Sequence, residues 1–507
     1  MRTFAPMLLA CVAAIPSAHA QDRIAGPAER ATIEALERIE TIDPKINSVL
    51  AVDPTALDQA RHVDRIRRAP TALTGVPVLL KDNIEAKGPL PTTAGSLALR
   101  NNVTDRDSPL VAGLRSAGAV ILGKTNLSEW ANFRSESSNS GWSALGGQTY
   151  NPYALDRSPC GSSSGSGAAV AAGIVDIAIG TETNGSVTCP AAMNGIVGLK
   201  PTVGMVSRTH IVPISVTQDT AGPMTRTVFQ AAAVMDAIAG SDPADPATAD
   251  ADRYAGTFLT ALDGASLEGV RLGVLEFATG FGTDEAFAAA KAQLERQGAI
   301  LVPIKEIGAE PLEGGISYNI LLTEFKDGIN DYLATTPDAV TARTLADLIE
   351  FNKASDRELA VFDQSIFIKS QETDIEDPDY VEGVKANVQW SGPDGIDRML
   401  EEHDVVALIF PTAAPSMLID HVHGDSWHGG GAGYLAAWSG YPHLTVPMGM
   451  AKGLPVGLSF VGTKWDDARL LALGHAYEEA RPALPAPQFY DSVMDTPELA
   501  PLLAKAD

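Results

Sequence analysis

Residues 161–187 read GSSSGSGAAVAAGIVDIAIGTETNGSV, with five serines and six glycines in one stretch. A flexible Gly/Ser linker is polar on both sides. This stretch instead runs into AAVAAGIVDIAI, which belongs in a core. Its pattern changes from a small-residue helix to an apolar strand near Gly173, the repeating step of an α/β domain. Glycine lets a backbone turn sharply and brings its N–H groups close to a ligand. Clustered hydroxyls suit nucleophiles and proton carriers.

The same alternation extends in both directions. PAERATIEALERIET (27–41) has the spacing of an amphipathic helix with proline near its start. INSVLAV (46–52) and GVPVLL (75–80) follow as strands, the second ending at Lys81. SPLVAGLRSAGAVILGKTN reads as helix, turn and strand. Beyond about residue 240 the pattern loosens. GVRLGVLE (269–276) and AILVPI (299–304) are strands around a helix, and residues 310–400 are mostly helical. VVALIFPT (405–412), PHLTVPMG (442–449) and GLPVGLSFVG (453–462) return to strands, and 466–480 closes with a helix. These elements predict an α/β fold: one large α/β/α layered domain whose mixed central sheet is covered by helices. Both ends of the chain feed the sheet, with a helical insertion at about 310–400.

The chain has 507 residues and a formal net charge of -26. A phosphate-binding surface needs a basic footprint, so no nucleic-acid partner is expected. The first residues, MRTFAPMLLACVAAIPSAHAQD, have a basic start, an apolar stretch and the small-residue site Ala18-His19-Ala20. They read as a secretory signal peptide over residues 1–20, with the mature domain spanning 21–507 and a periplasmic or secreted location. No later apolar run is long enough to span a membrane. The mature part keeps two cysteines, Cys160 and Cys189, on either side of the serine-rich segment. One bridge between them is open, but two buried thiols are the expectation.

Motif alternatives to the segment are weaker. Neither phosphate-loop pattern is present, and no S-x-x-K occurs. GSSSG fits the G-x-S-x-G nucleophile elbow, with Ser163 as nucleophile, and HGGG (428–431) looks like an esterase oxyanion motif. However, Pro159 stands where the elbow needs a strand, and HGGG follows the nucleophile where it should precede it.

The longer stretch GSSSGSGAAVAAGIVDIAIGTETNGSVTCPAAMNGIVGLKPTVGMVSR resembles the signature of the amidase signature family. GVPVLLKDNI, GAVILGKTNLSEWA, DTAGPMTRTV and GLPVGLSFVG extend the resemblance over nearly the whole mature chain. SGWSALGGQTYNPY and GTETNGSVTCPAAMNGIVGLKPT are most similar to bacterial peptide amidases. The resemblance implies the amidase signature fold and a Ser–cis-Ser–Lys triad. It places the nucleophile at Ser186, the second serine at Ser162 after a cis bond from Gly161, and the lysine at Lys81. Asn184, Glu182 and Thr188 stand where the family usually has glycine, aspartate and arginine.

The implied chemistry sets demands on these residues. A serine hydroxyl is a weak nucleophile at pH 7 and needs a base. Lysine serves only when neutral, which means bringing a pKa of about 10.4 down to near neutrality, a change worth about 4–5 kcal/mol. Burial does this. Lys81, Lys124 and Lys200 each follow an apolar run, and the residues alone do not choose among them. The resemblance selects Lys81 and leaves Lys124 and Lys200 as structural lysines bonding carbonyls. Ser162 would relay the proton between Ser186 and Lys81. The backbone N–H groups of Thr183, Asn184, Gly185 and Ser186 would form the oxyanion hole. Ser163, Ser164 and Ser166 are expected in loop and helix-cap roles. A helix starting near Gly165 would aim its N-terminal dipole at the site.

The expected activity is hydrolysis of carboxamide C–N bonds through an acyl-enzyme, releasing ammonia, with C-terminal peptide amides as substrates. The alternatives are an aryl or fatty acyl amidase, a non-catalytic binding module and the tRNA-dependent amidotransferase of the same family. No cofactor is expected. His421, His423 and His428 match no metal-site spacing, so no metal is expected and their loop is assigned to the substrate side. Trp142 and Tyr150 are candidates for either the cleft or the core. The partner is a small-molecule or peptide amide. The oligomeric state stays open, and a monomer is compatible with the sequence.

Overall fold

The computed structural model of the chain describes residues 25–66, 69–310, 312 and 314–504. The signal-peptide segment lies outside the described residues. Eleven strands form one sheet. In chain order the strands are β1 (Val49–Val52), β2 (Pro77–Lys81), β3 (Val120–Thr125), the short hairpin β4 (Trp142–Ser143) and β5 (Gly147–Gln148), β6 (Ile177–Glu182), β7 (Val197–Lys200), β8 (Thr220–Thr225), β9 (Arg271–Leu275), β10 (Ile300–Ile304), β11 (Ala407–Pro411), β12 (His443–Ala451) and β13 (Leu454–Val461). Across the large sheet the order is β1-β3-β2-β6-β8-β7-β12-β13-β11-β9-β10. β2 runs parallel to both β3 and β6, and β9 runs parallel to both β10 and β11. The pairs around β8, β12 and β13 are antiparallel. The sheet is therefore mixed, as expected from the sequence, and the strands from the end of the chain, β12 and β13, lie in its interior.

Helices cover both faces. On one face lie α1 (Pro27–Ile46), α2 (Ala56–Arg65), α4 (Ser164–Ala171) and α5 (Thr188–Met193). On the other lie α3 (Pro109–Ala117), α6 (Val228–Ile238), α7 (Asp284–Arg296) and α14 (Asp467–Ala480). The alternation of β2 shows why two layers are needed. Leu79 packs into the α1/α4 layer, while Val78 and Leu80 pack into the α3/α6 layer. Successive strand side chains point to opposite faces, so a strand apolar at every position must be covered twice. Between β10 and β11 the chain runs through α8 (Ile316–Ala334), α9 (Leu345–Lys353), α10 (Ser365–Gln371), α11 (Pro378–Ser391) and α12 (Arg398–Glu402). α8, α9 and α10 share a core with Trp130 and Phe133. α13 (Gly433–Ser439) precedes β12.

The serine-rich segment is packed, not flexible. Gly165 shows why its small residues are required: a Cβ there would lie 2.3 Å from the Ser48 carbonyl oxygen and 2.5 Å from that of Asn126. α4 can approach the ends of β1 and β3 only without that side chain.

The expectation of two free thiols is overturned. Cys160 and Cys189 form a disulfide, with Cα atoms 6.0 Å apart. The fold explains the pairing. The Ser163 N–H donates to the Ser186 carbonyl at 3.1 Å, which closes the two ends of the segment on each other. Cys160 stands two residues before Ser162 and Cys189 three after Ser186, so apposing the serines apposes the cysteines. Sequence separation alone carries no such information.

Candidate active site

Lys81 ends β2, between β3 and β6, and is fully buried. Its Nζ lies 2.7 Å from Ser162 Oγ, 2.9 Å from Thr181 Oγ1 and 3.2 Å from the Thr181 carbonyl oxygen. Burial pulls its pKa down to about 7, against the opposing pull of Asp219 and Glu182. A substantial neutral fraction is therefore present at neutral pH. Asn83 donates to Thr181 Oγ1 at 2.9 Å and holds that hydroxyl from its far side.

The other two lysines are buried too, but they point elsewhere. Lys124 donates to the Ile84 carbonyl at 2.6 Å and to Thr92 Oγ1 at 2.8 Å, with Asp82 3.6 Å away. Lys200 donates to the Pro201 carbonyl at 3.1 Å, and burial lowers its pKa to about 8. Of the three, only Lys81 is bonded to a serine of the segment. A depressed pKa does not separate them; reach does.

Ser162 follows a cis peptide bond from Gly161 and is fully buried. Its carbonyl accepts from the Ser128 N–H at 3.1 Å. Ser186 is on the cleft wall, 8 % exposed. The neighbouring serines are tied down. Ser163 Oγ donates to the Thr181 carbonyl at 3.1 Å and accepts from the Thr181 N–H at 3.2 Å. Ser164 donates to the Cys160 carbonyl and Ser166 to that of Ile179. None caps α4 with its side chain, so the cap expectation is corrected. Ser163 and Ser166 stitch the start of α4 to β6, because the close approach leaves strand carbonyls within reach, and Ser164 closes the loop on itself. The elbow reading loses its nucleophile, since Ser163 is buried and bonded on both sides.

The turn from Glu182 to Ser186 is shaped by two carboxylates. Glu182 Oε2 accepts from the N–H groups of Val187 at 2.8 Å and Thr188 at 2.9 Å. Asp219 accepts from Thr183 Oγ1 at 2.5 Å and from the N–H groups of Ile214 at 2.7 Å and Ser215 at 2.9 Å. Gly185 takes φ +89°, a conformation that favours glycine. Among the described residues, the N–H groups of Thr183, Asn184, Gly185 and Ser186 donate to no protein acceptor. Four consecutive unspent donors beside a serine hydroxyl can hold a developing oxyanion. The Asn184 side chain is exposed, so its substitution for glycine leaves the backbone of the turn open.

Ser186 and this turn line a cleft of about 450 Å³ together with Trp427, the glycines 429–431 and Tyr434. The histidine loop thus reaches the cleft through Trp427. His421 bonds Gln148 at 2.8 Å and His423 bonds Asp420 at 2.7 Å, so the two turn to separate partners. Trp142 is buried against Phe362, with ring centroids 5.1 Å apart, and is a core residue. Tyr150 is half-buried, and neither it nor Trp142 lines this cleft. A second cavity of about 360 Å³, lined by Asn83, Thr181 and Asp219, meets the first at Thr183.

The amidase family model matches residues 30–471. The chain belongs to the amidase signature family. It is similar to a probable amidase of Arabidopsis thaliana, 37% identical over 468 residues, which cover 90% of this chain and 87% of that protein. It is also similar to a glutamyl-tRNA(Gln) amidotransferase chain of Heliobacterium modesticaldum, 34% identical over 473 residues, covering 88% and 91%. The crystal structure of native peptide amidase from Stenotrophomonas maltophilia superposes with a TM-score of 0.85 at 46% identity, covering 91% of this chain and 95% of that one. This member of the family is therefore a hydrolase with the same mixed-sheet fold. Sequence reasoning missed Thr181, Asn83 and Asp219 as supports of the site. Asp219 lies in DTAGPMTRTV, a motif of the resemblance, but only the fold brings it against Thr183.

Proposed function

We propose that the chain hydrolyses C-terminal amides of peptides with Ser186 as nucleophile, Ser162 as proton relay and Lys81 as base. The observation that carries this reading is the 2.7 Å contact between a fully buried Lys81 and Ser162, beside a turn that presents Ser186 and four unspent N–H groups. The likeness to a peptide amidase structure supports the substrate class. A cleft of about 450 Å³ has room for the end of a peptide.

The proposed steps are these. Neutral Lys81 takes the proton of Ser162 as Ser162 takes that of Ser186. The Ser186 oxygen bonds the carboxamide carbon, and the carbonyl π pair becomes an oxyanion facing the N–H groups of 183–186. One such donor is typically worth about 2.7–4 kcal/mol in the transition state. The oxyanion then collapses and the C–N bond breaks. The nitrogen takes the proton back through Ser162 and leaves as ammonia. Water repeats the sequence on the ester and frees the acid.

Mass spectrometry on amidated peptides, their free acids and anilides tests the reading. The expected result is a gain of about one mass unit confined to the amidated peptides, with no internal cleavage. Backbone fragmentation, or turnover of anilides alone, would refute it. We also propose export to the periplasm or medium, supported by the character of residues 1–20. The expected N-terminus of the mature chain is Gln21, read by N-terminal sequencing.

A further inference from the structure

The outer part of the same cleft carries an indole that the chain itself does not use. Trp427 lines the cleft with Ser186 and is 60 % exposed. Of the six tryptophans it alone is exposed. Among the described residues its ring has no aromatic neighbour and its N–H no acceptor. A single exposed apolar side chain is ordinary on a protein surface. Trp427 differs because the backbone is anchored on both sides of it. Before it, the Asp425 N–H donates to the Ser138 carbonyl at 3.2 Å, and the Asp425 carboxylate accepts from the Ser140 N–H at 3.0 Å. After it, the Gly429 carbonyl accepts from the Ala414 N–H at 3.3 Å, and the Gly431 N–H donates to the Ala278 carbonyl at 3.2 Å. Gly429 takes φ +84° and approaches Phe281 so closely that a Cβ would stand 2.7 Å from its ring. The loop is held at both ends, and its largest side chain is left for a ligand.

Exposure orders the cleft by depth. Ser186 and Cys189 are each 8 % exposed and Phe133 7 %, so these residues form the floor. Trp427 stands at the mouth. A carboxamide attacked by Ser186 lies on the floor, so a peptide entering by its amidated end reaches the mouth with an earlier residue. An indole presents a large apolar face that gains most by covering another apolar side chain.

We propose that Trp427 packs against the side chain of the residue that precedes the amidated one, and that it makes the enzyme selective for apolar side chains at that position. The proposal rests on the reading of this cleft as the acyl side of a peptide amidase.

The test measures ammonia release from N-acetyl-phenylalanyl-alaninamide, N-acetyl-glycyl-alaninamide and N-acetyl-glycyl-phenylalaninamide. The wild-type enzyme should favour the first over the second by about tenfold or more in kcat/KM, mostly through KM. In Trp427→Ala that ratio should fall to within about twofold of one. Trp427→Phe, which keeps an aromatic face, should recover most of it. Each ratio is taken within one enzyme, so a general change in activity does not imitate the effect. A wild type with a ratio near one, or a Trp427→Ala variant that keeps the wild-type ratio, overturns the proposal while peptide amidase activity stands. So does a loss confined to N-acetyl-glycyl-phenylalaninamide, which would put the indole against the amidated residue instead. A wild type inactive on all three peptides overturns both readings.

Discussion

At the scale of single residues, three buried lysines with lowered pKa values compete for one role, and contact separates them. Ser186→Ala should reduce amide turnover about ten-thousandfold or more, as expected when a nucleophile is removed. Ser163→Ala should keep the triad and serves as the control, with folding checked by circular dichroism. Lys81 gives a second expectation, with a definite sign. As the proposed base it would act when neutral, and burial pulls its pKa down to about 7, so kcat/KM should rise with pH through about 7 and level off above. Below that point it should fall roughly tenfold per pH unit. Lys81→Ala should remove the chemical step. Lys124→Ala should act on stability instead, because its Nζ bonds Ile84 and Thr92 and not a reacting group. Equal losses of the single-turnover rate in the two folded variants would reject the assignment of the base.

At the scale of elements, the site is a junction of β2, β6, α4 and the turn into α5. Glu182 ends β6 and holds the first N–H groups beyond Ser186, the proposed nucleophile, so it anchors the backbone that carries it. Glu182→Gln keeps the side-chain shape and loses the charge that strengthens those bonds. The expected loss in kcat is about ten- to hundredfold, from bonds worth roughly 1.5–3 kcal/mol. α4 offers a stability test without touching chemistry. Gly165→Ala drives a methyl group into the carbonyls of Ser48 and Asn126 and should cost about 1–3 kcal/mol or more by thermal unfolding. Gly256→Ala is a comparison at a site where a Cβ meets nothing within 4 Å, although its φ of +74° adds strain of its own.

At the scale of the whole molecule, a mixed sheet of eleven strands gathers residues far apart in sequence: Lys81 before the segment, Asp219 after it and His443 near the end of the chain. The disulfide ties the segment shut across 29 residues. Chain-entropy arguments give such a loop about 3–4 kcal/mol. An exported chain should therefore show no free thiol in a denaturing thiol assay. The chain lacking residues 1–20 and made in a reducing cytosol should show two thiols per molecule and a lower Tm. Two reactive thiols in the exported chain would count against the bridge.

The amino-acid pattern by itself determined the layered α/β architecture, because strands such as PVLLK are apolar on both faces and must be covered twice. Lys81, Ser162 and Ser186 were marked by the resemblance of the motifs around them to the amidase signature family. Some features were beyond it. It left the choice among Lys81, Lys124 and Lys200 to resemblance, since all three end apolar runs alike. It favoured free thiols at Cys160 and Cys189. It read Ser163, Ser164 and Ser166 as loop and helix-cap groups, where the fold gives α4 no side-chain cap and ties Ser163 and Ser166 to β6. Each of these depends on which groups meet across strands distant in sequence. Local periodicity reports whether a side chain is buried, because burial follows from the face it occupies. A hydrogen-bond partner is decided only when the sheet closes and brings a specific donor to a specific acceptor, as it brings Lys81 to Ser162.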